Sequence, residues 1–537
     1  MGGLGANLAS MSRNTSLSTE TRMSEEFSTQ GRDPRVPGLT VLHHPDSGRV
    51  GERAALLGLA ARGGVPLSRR EPDFSAPGGA TRRPLAHSNL SRSPIVLSRG
   101  THDGAVHLDT RGSRTRVEVE GVPVEDGRTC TAEDLERGVV LRLGSHIVLL
   151  LHRLDPLDPM DLPSYGLVGE SASMVRVRRE IQKVSDLQVS VLLRGETGSG
   201  KELVARAIHD ASSRRDGPFV AVNMAALPPS LAAAELFGAV RGAYTGADRR
   251  RRGLFAQAEG GTLFLDEVGE TPPEVQALLL RALETREIRP VGGEESRRVD
   301  VRLVSATDAD LEAGIATERF RAPLLHRLAG FEIRLPPLRE RRDDFGRLLH
   351  HFLRRELAAI GEEQRLRVSN DGPWLPARLV ARLAAYDWPG NVRQLLNVTR
   401  QIVIASRGEV RASLPEAVET LLAMASATAV TPPAPATESP SIDKRRKPSD
   451  LDDDELVELL RAHRFNLRAA AAAIGISPTS LYALIEQCPR LRKPSQLGRD
   501  EIEASLARHG DDIDAAALEL EVSSLGLKRR LKELGLR

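Results

Sequence analysis

The chain has 537 residues, with 75 Lys or Arg against 73 Asp or Glu, 40% hydrophobic and only 3% aromatic residues. At roughly 150 residues per domain this length implies three or four domains and excludes a single core, while a formal charge of +2 gives net charge no power to name a partner. Cys130 and Cys488 are too few and too far apart for a disulfide framework or a zinc site, which fits a reducing compartment. Apolar runs such as Ile147 to Leu151 fall well short of the ~20 residues of a membrane span, so the expectation is a cytoplasmic protein with no membrane partner.

In chain order, residues 1–37 are rich in Ser, Thr, Gly and Arg without apolar periodicity and are expected to be disordered. Residues 38–155 carry short β-type runs (LTVLHH, SPIVLS, AVHLDT, TRVEVEGVPV, GVVLRLG, HIVLLLH) separated by Gly, Pro and Asp turns, the spacing of an all-β sandwich. A Pro-rich linker, DPLDPMDLPSYG, follows. From 166 to 342 the buried-strand runs VSVLLRG, FVAVNM, GTLFLDE and VRLVSATD alternate with helical patterns, which implies a parallel α/β sheet, and 343–426 reads as helices only. Residues 427–450 are Pro-, Ser- and Thr-rich, a flexible linker. The remainder, 451–537, is all-α, and LRAAAAAIGIS from Leu467 repeats as IDAAALELEVS from Ile513 at an offset of 46 residues, two copies of one small unit.

GETGSGKE comprises Gly195, Glu196, Thr197, Gly198, Ser199, Gly200, Lys201 and Glu202, and lies between an apolar strand and a helical pattern. Glycines there let backbone N–H groups curl around phosphates at a helix N-terminus, and Lys201, one of only seven lysines in the chain, supplies a point charge to the β- and γ-phosphates. The Ser or Thr usual after the lysine is Glu202. Downstream, GGTLFLDEVGE puts Asp266 and Glu267 at the end of an apolar strand, where Asp266 would hold Mg²⁺ and Glu267 would polarise an attacking water. Each half alone also reads as an ordinary turn; together they point to ATP and Mg²⁺.

The hexapeptide GAYTGA (Gly242, Ala243, Tyr244, Thr245, Gly246, Ala247) has small residues that suit a tight exposed loop projecting one aromatic and one hydroxyl as a contact tip. It resembles the GAFTGA loop of the AAA+ activators of sigma-54 RNA polymerase, the bacterial enhancer-binding proteins. Further matches run in order through YGLVGESASM, FVAVNMAAL, LFLDE, RFRAPLLHRL, LPPLRERRDD and WPGNVRQL, covering roughly residues 165–405. The resemblance implies an AAA+ P-loop ATPase with a helical lid, acting on sigma-54 RNA polymerase. By the same resemblance Lys201, Asp266 and Glu267 bind and hydrolyse ATP, Asn223 restrains Glu267 as a nucleotide-sensing switch, and Thr307 is the retained half of a sensor whose usual Asn is Asp308 here. Arg321 and Arg327 resemble arginine fingers reaching a neighbouring subunit's γ-phosphate, and Arg393 resembles the lid sensor. Fingers supplied in trans make hydrolysis require a homo-oligomer, by resemblance a hexameric ring.

FNLRAAAAAIGISPTSLYALI resembles the factor-for-inversion-stimulation type of helix-turn-helix, implying binding to an enhancer-like site on double-stranded DNA through Ser477, Thr479, Ser480 and Tyr482. That helix carries no basic residue; the second copy clusters Lys528, Arg529, Arg530 and Lys532, suited to phosphate contact, and is the favoured reader, alone or in a joint platform with the first, with a packing or dimerisation role the other reading for one copy. The sandwich resembles the forkhead-associated (FHA) phosphopeptide fold, in which Ser68, Arg69, Ser91 and Arg92 match phosphothreonine-holding positions. The His expected after Ser-Arg-x is Pro94, and the Asn-Gly usual around Arg114 is absent. Two readings of the sandwich therefore stand: a binder of a phosphothreonine protein or Ser/Thr kinase, and a non-binding regulatory domain. For the whole chain the expectation is an ATP-dependent transcriptional activator. The rivals are an AAA+ remodelling chaperone or loader and a DNA-binding repressor whose ATPase Asp308 impairs.

Overall fold

The computed structural model describes residues 35–155, 162–243, 251–367, 373–429, 453–462 and 496–534 apart from 510–512 and 521, with scattered residues between the last two stretches. Residues 1–34 of the expected disordered segment and 430–450 of the expected linker lie outside them, whereas residues 427–429, expected to begin the linker, end a helix. The chain divides at Thr431/Pro432 into two compact units.

The first unit opens with a β-sandwich that begins at Val36, two residues before the expected boundary. Its strands are β1 (Val36–His43), β2 (Arg53–Ala55), β3 (Val65–Leu67), β4 (Ile95–Arg99), β5 (Val106–Asp109), β6 (Val117–Val119), β7 (Val122–Val124), β8 (Gly127–Cys130), β9 (Val139–Leu143) and β10 (Ile147–Leu154). A six-stranded sheet, β2-β1-β10-β9-β6-β7, packs on a four-stranded one, β3-β4-β5-β8. Helix α1 (Ala132–Arg137) is nucleated by a capping box between Thr131 and Asp134. β4 and β5 bury alternate residues, as half-exposed strands do. β10 is buried almost throughout, because it serves two cores: Leu149 and Leu151 face the sandwich interior with Leu39 and Ile95, whereas Val148 and Leu150 join Leu42 and Val140 in a cluster with the lid.

The α/β part comprises α2 (Ala172–Ser185), β11 (Val191–Arg194), α3 (Lys201–Asp210), β12 (Phe219–Asn223), α4 (Pro229–Phe237), α5 (Leu254–Gln257), β13 (Thr262–Asp266), α6 (Pro273–Thr285), the hairpin β14 (Glu287–Ile288) and β15 (Arg297–Arg298), β16 (Arg302–Thr307), α7 (Leu311–Ala316), α8 (Ala322–Leu328) and β17 (Phe331–Arg334). The five-stranded sheet runs β12-β13-β16-β11-β17 with every pairing parallel. Its central strands are near-continuous apolar runs, since helices cover both faces. The lid has α9 (Phe345–Ala359), α10 (Ala377–Ala384), α11 (Asn391–Ala405) and α12 (Glu416–Ala429). Its core holds Trp388, 1% exposed, whose indole N–H donates to the Leu383 carbonyl at 3.0 Å.

The second unit contains α13 (Asp453–Ala462), then α14 (Arg499–Arg508), α15 (Ile513–Glu519) and α16 (Ser524–Glu533) around a small core of Leu497, Ile502, Leu506, Ala516, Leu527 and Leu531. Ser477, Thr479, Ser480 and Tyr482 lie outside the described residues. Among the described residues no helix is long and apolar enough to cross a membrane.

Candidate nucleotide site

The P-loop leaves β11 at its C-terminal end and enters α3 at Lys201, with Gly200 at φ +109° and Gly198 at φ +79°, values only glycine holds without strain. Gly195 N–H donates to the Thr307 carbonyl at 3.2 Å, which pins the loop to the end of β16. Lys201, 6% exposed, donates to the Gly195 carbonyl at 2.8 Å and lies 3.4 Å from Glu267 Oε1. The Ser199 hydroxyl is buried with no partner, an orphaned polar atom inside a glycine cradle beside a buried ammonium. That combination fits a phosphate.

Asp266 ends β13, and Glu267 follows it in the left-handed region at φ +52°. A non-glycine residue held there stores strain, as residues at functional sites do. Burial pushes the Glu267 carboxyl above its ordinary value; Lys201 opposes this, and Asp308 and Asp266 reinforce it. Asp308 donates its backbone N–H to Glu267 Oε2 at 3.4 Å and accepts a bond from the Thr197 hydroxyl. Asp308 thus sits against the Glu267 carboxylate. Asp266, whose Oδ1 accepts from the Glu267 N–H at 3.1 Å, fits Mg²⁺ as a carboxylate ligand; Glu202, where a hydroxyl is usual, is exposed on α3.

Asn223 is placed differently from expectation: its amide Nδ2 reaches Asp266 Oδ2 at 3.4 Å, and its Oδ1 caps the turn at Ala225 N–H. Thr307 is 1% exposed; its hydroxyl oxygen accepts from the Ala309 N–H at 3.1 Å, and its carbonyl accepts from the P-loop at Gly195. Arg321 and Arg327 are exposed around α8, Arg327 lying 3.5 Å from Glu284. Arg393 is exposed at the start of α11, its N–H 3.3 Å from the Gly198 carbonyl.

Sequence reasoning missed three groups that close the lid over this loop. Asn391, fully buried, donates from Nδ2 to Glu196 Oε2 at 3.0 Å and to the Thr197 carbonyl at 3.1 Å, and accepts from the Leu338 N–H at 2.8 Å. Arg339 grips Glu196 bidentately at 2.9 and 2.6 Å and holds that carboxyl below its usual range. Arg341 reaches the Ser199 carbonyl at 3.2 Å. The asparagine and arginines were visible in LPPLRERRDD and WPGNVRQL, but nothing in the spacing says that they face the P-loop.

Residues 167–334 match the Sigma-54 interaction domain family, and residues 339–429 the AAA+ ATPase lid domain. This part of the chain is a sigma-54 interaction domain with its AAA+ lid. The chain is 44% identical over 248 residues to the regulatory protein LuxO of Vibrio cholerae, covering 46% of this chain and 45% of LuxO. It is 45% identical over 247 residues to the DNA-binding transcriptional regulator NtrC of Escherichia coli, covering 46% of this chain and 51% of NtrC. The chain therefore spans about half the length of the curated relatives it matches. The crystal structure of NtrX from Brucella abortus in complex with ATP is 31% identical, covers 69% of each chain and has a TM-score of 0.42. The lid match begins at residue 339, four residues before the expected boundary, so the hinge residues Arg339 and Arg341 belong with the lid.

At the base of the GAYTGA loop in this sigma-54 interaction domain, Ala239 bridges Arg251 and, on its other side, Val291 of the β14–β15 connection. Gly242 and Ala243 continue from this stem, while Tyr244, Thr245, Gly246 and Ala247 lie outside the described residues. In the sandwich, Arg69 N–H donates to the Ser91 carbonyl at 3.2 Å, so Ser68, Arg69, Ser91 and Arg92 are brought together. Arg92 is exposed, and the Ser68 and Ser91 hydroxyls accept backbone N–H groups of Arg70 and Ser93. In α16, Lys528, Arg529 and Lys532 are exposed, whereas Arg530 turns back to the Leu497 carbonyl at 3.3 Å and anchors the unit.

Proposed function

We propose that the chain is an ATP-driven transcriptional activator that remodels sigma-54 RNA polymerase. The observation that carries it is the buried Lys201 ammonium between an orphaned Ser199 hydroxyl and the strained Glu267, inside a sigma-54 interaction domain. The P-loop amides and Lys201 orient the triphosphate, Glu267 polarises the attacking water, and Asp266 reports to Asn223. Mg²⁺ held by Asp266 supplies charge neutralisation on the phosphates. The exposed Arg321 and Arg327 complete the site of a neighbouring subunit, so the working form is a homo-oligomeric ring, a hexamer by family resemblance.

Tyr244 and Thr245, which follow in sequence a stem clamped by Ala239, Arg251 and Val291, make the contact with sigma-54. The C-terminal unit binds an enhancer-like DNA site through Lys528, Arg529 and Lys532, and the sandwich is an FHA-like regulatory domain whose Arg69 and Arg92 suit a phosphothreonine protein. The test is paired. Lys201→Ala abolishes ATPase activity, whereas Tyr244→Ala keeps it and loses transcription from a sigma-54 promoter. An ATPase unaffected by Lys201→Ala refutes the site, and a Tyr244→Ala protein that still activates refutes the contact. A wild-type chain with no ATPase supports the repressor reading through Asp308.

A further inference from the structure

Three parts of the first unit, the sandwich, the α/β part and the lid, meet in one buried polar network outside the nucleotide site. Arg53, at the start of β2, donates from Nη2 to two acceptors: the Glu170 carbonyl at 2.8 Å, in the segment leading into α2, and Asp343 Oδ2 at 2.9 Å, in the connection into the lid. Its side chain is 20% exposed and that of Asp343 12%. The next residue, Asp344, is fully buried and accepts from Glu170 N–H at 2.6 Å, Ser171 N–H at 2.9 Å and the Ser171 hydroxyl at 2.6 Å. Three to five residues earlier in the same connection, Arg341 and Arg339 hold Ser199 and Glu196 of the P-loop.

On the sandwich side, the turn that presents Arg53 is tied to the Ser/Arg loops. Glu52, 6% exposed, binds Arg49 at 2.8 Å and Arg83 at 2.9 Å; Arg49 also donates to the carbonyls of Pro84 and Leu85 at 2.7 and 2.8 Å. Ala86 N–H donates to the Arg69 carbonyl at 3.0 Å. Around this network the contact is apolar, with Leu42, Val148 and Leu150 packed among Phe345, Leu349 and Leu383. A Cβ on Gly346 would come within 2.8 Å of Leu42 Cα, so the start of α9 lies directly against β1. Arg347 Nη2 reaches the Gly51 carbonyl at 3.4 Å.

We propose that Arg53 is a staple which the docked sandwich places across the hinge between the α/β part and the lid, so that the sandwich sets how firmly the lid is held over the P-loop. An isolated partly buried ion pair adds little stability compared with apolar packing. One that spans a hinge instead selects between hinge positions, because both acceptors are met only when the Glu170 segment and Asp343 stand at the separation seen here. Burial raises the Asp343 carboxyl, and Arg53 opposes this first, ahead of Arg341 and Arg347, so losing Arg53 removes the largest charge that balances a buried acid where the hinge bends.

The staple rests on reading the P-loop as the nucleotide site, and its test separates the two. In the full chain, dissociation of a fluorescent N-methylanthraniloyl-ADP is followed by stopped flow for wild type, Arg53→Met, Asp343→Asn and the double variant. Each single variant releases the nucleotide about fivefold to tenfold faster, within the usual range of coupling between sites, and the double variant is no faster than the faster single one. Hydrogen exchange in α9 and α11 rises with nucleotide bound. Asp343→Asn breaks the pair from the lid side and serves where Arg53→Met fails to fold. Release within twofold of wild type in the folded variants overturns the staple alone. Equal binding of the fluorescent ADP by wild type and Lys201→Ala overturns the nucleotide site, and the staple with it.

Discussion

Replacing His350 by Asn removes one proton from the acid-sensitivity of the core shared by sandwich and lid. His350 lies in α9, 7% exposed, stacked on His43 with ring centroids 5.6 Å apart and interplanar angle 20°. Burial first, then Arg354, pushes the His350 imidazole down to about 4 from its ordinary 6.5. His43 is pushed well down by burial, then by His350, His44 and His146, against a backbone bond at Leu375. The folded values lie below the unfolded ones, so above pH 6.5 both states are neutral and the pair has no linkage effect. As pH falls below 6.5 the unfolded chain takes up protons that the fold excludes, and stability drops; for His350 the drop ends near pH 4. At ~1.36 kcal/mol per unit, His350 accounts for about 3 kcal/mol of that loss. Urea unfolding between pH 4.5 and 7.5, followed by tryptophan fluorescence, measures it cleanly, because both tryptophans of the chain, Trp374 and Trp388, sit in this core. The variant's stability falls less steeply, by up to ~1.36 kcal/mol per pH unit near pH 5. Equal slopes for wild type and variant would refute the reasoning.

Gly198→Ala forces a side chain into φ +79°, with its Cβ 2.5 Å from the Gly390 carbonyl and 3.1 Å from Arg393 Cβ. At ~1–2 kcal/mol for the left-handed conformation alone, nucleotide affinity falls about tenfold as the lid is pushed off the loop, which titration with a fluorescent ATP analogue reads. Changing Lys528, Arg529 and Lys532 together to Gln lowers the slope of log DNA affinity against log salt by roughly 2.7, at ~0.9 per lost phosphate contact; anisotropy titrations at several salt concentrations check this. Arg530→Gln instead lowers the thermal midpoint of the second unit, since Arg530 bonds the Leu497 carbonyl, and calorimetry distinguishes the two effects.

What could be read from the sequence depends on whether a feature is local. The P-loop and LFLDE were legible because the glycines, Lys201, Asp266 and Glu267 occupy fixed places beside apolar strands, and the parallel sheet follows from those runs. The strands β2, β3 and β8 were not read, because three or four residues show no alternation. The docking of sandwich on lid had one local trace. HIVLLLH is apolar at consecutive positions, where a strand with one solvent face would alternate, so both faces of β10 needed a partner; the sequence did not say which. Arg53 left no trace, since Asp343 is 290 positions away and an arginine in an Arg-rich chain carries no signal. The contact of Asn223 with Asp266 was not legible for a related reason: residue order does not tell which of two adjacent carboxylates a side chain reaches.

The relative strength of these contacts decides where the first unit can bend. Separating sandwich from lid exposes Leu42, Val148, Leu150, Phe345 and Leu349, all at most 1% exposed, at ~1.5–3 kcal/mol for each large side chain. Opening the hinge breaks the bond from Arg53 to the Glu170 carbonyl and the grips of Arg339 and Asn391 on the P-loop, where a hydrogen bond to a charged group contributes about 1.5–3 kcal/mol net and water replaces part of it. The apolar contact therefore survives a motion that the polar hinge allows, and sandwich and lid travel as one body. A change in the bound phosphates that loosens Glu196 or Thr197 reaches Arg53 through Asn391, Arg339 and the connection to Asp343. The same route runs in reverse from the Glu52 turn, which makes the sandwich a lever on the nucleotide site without touching it.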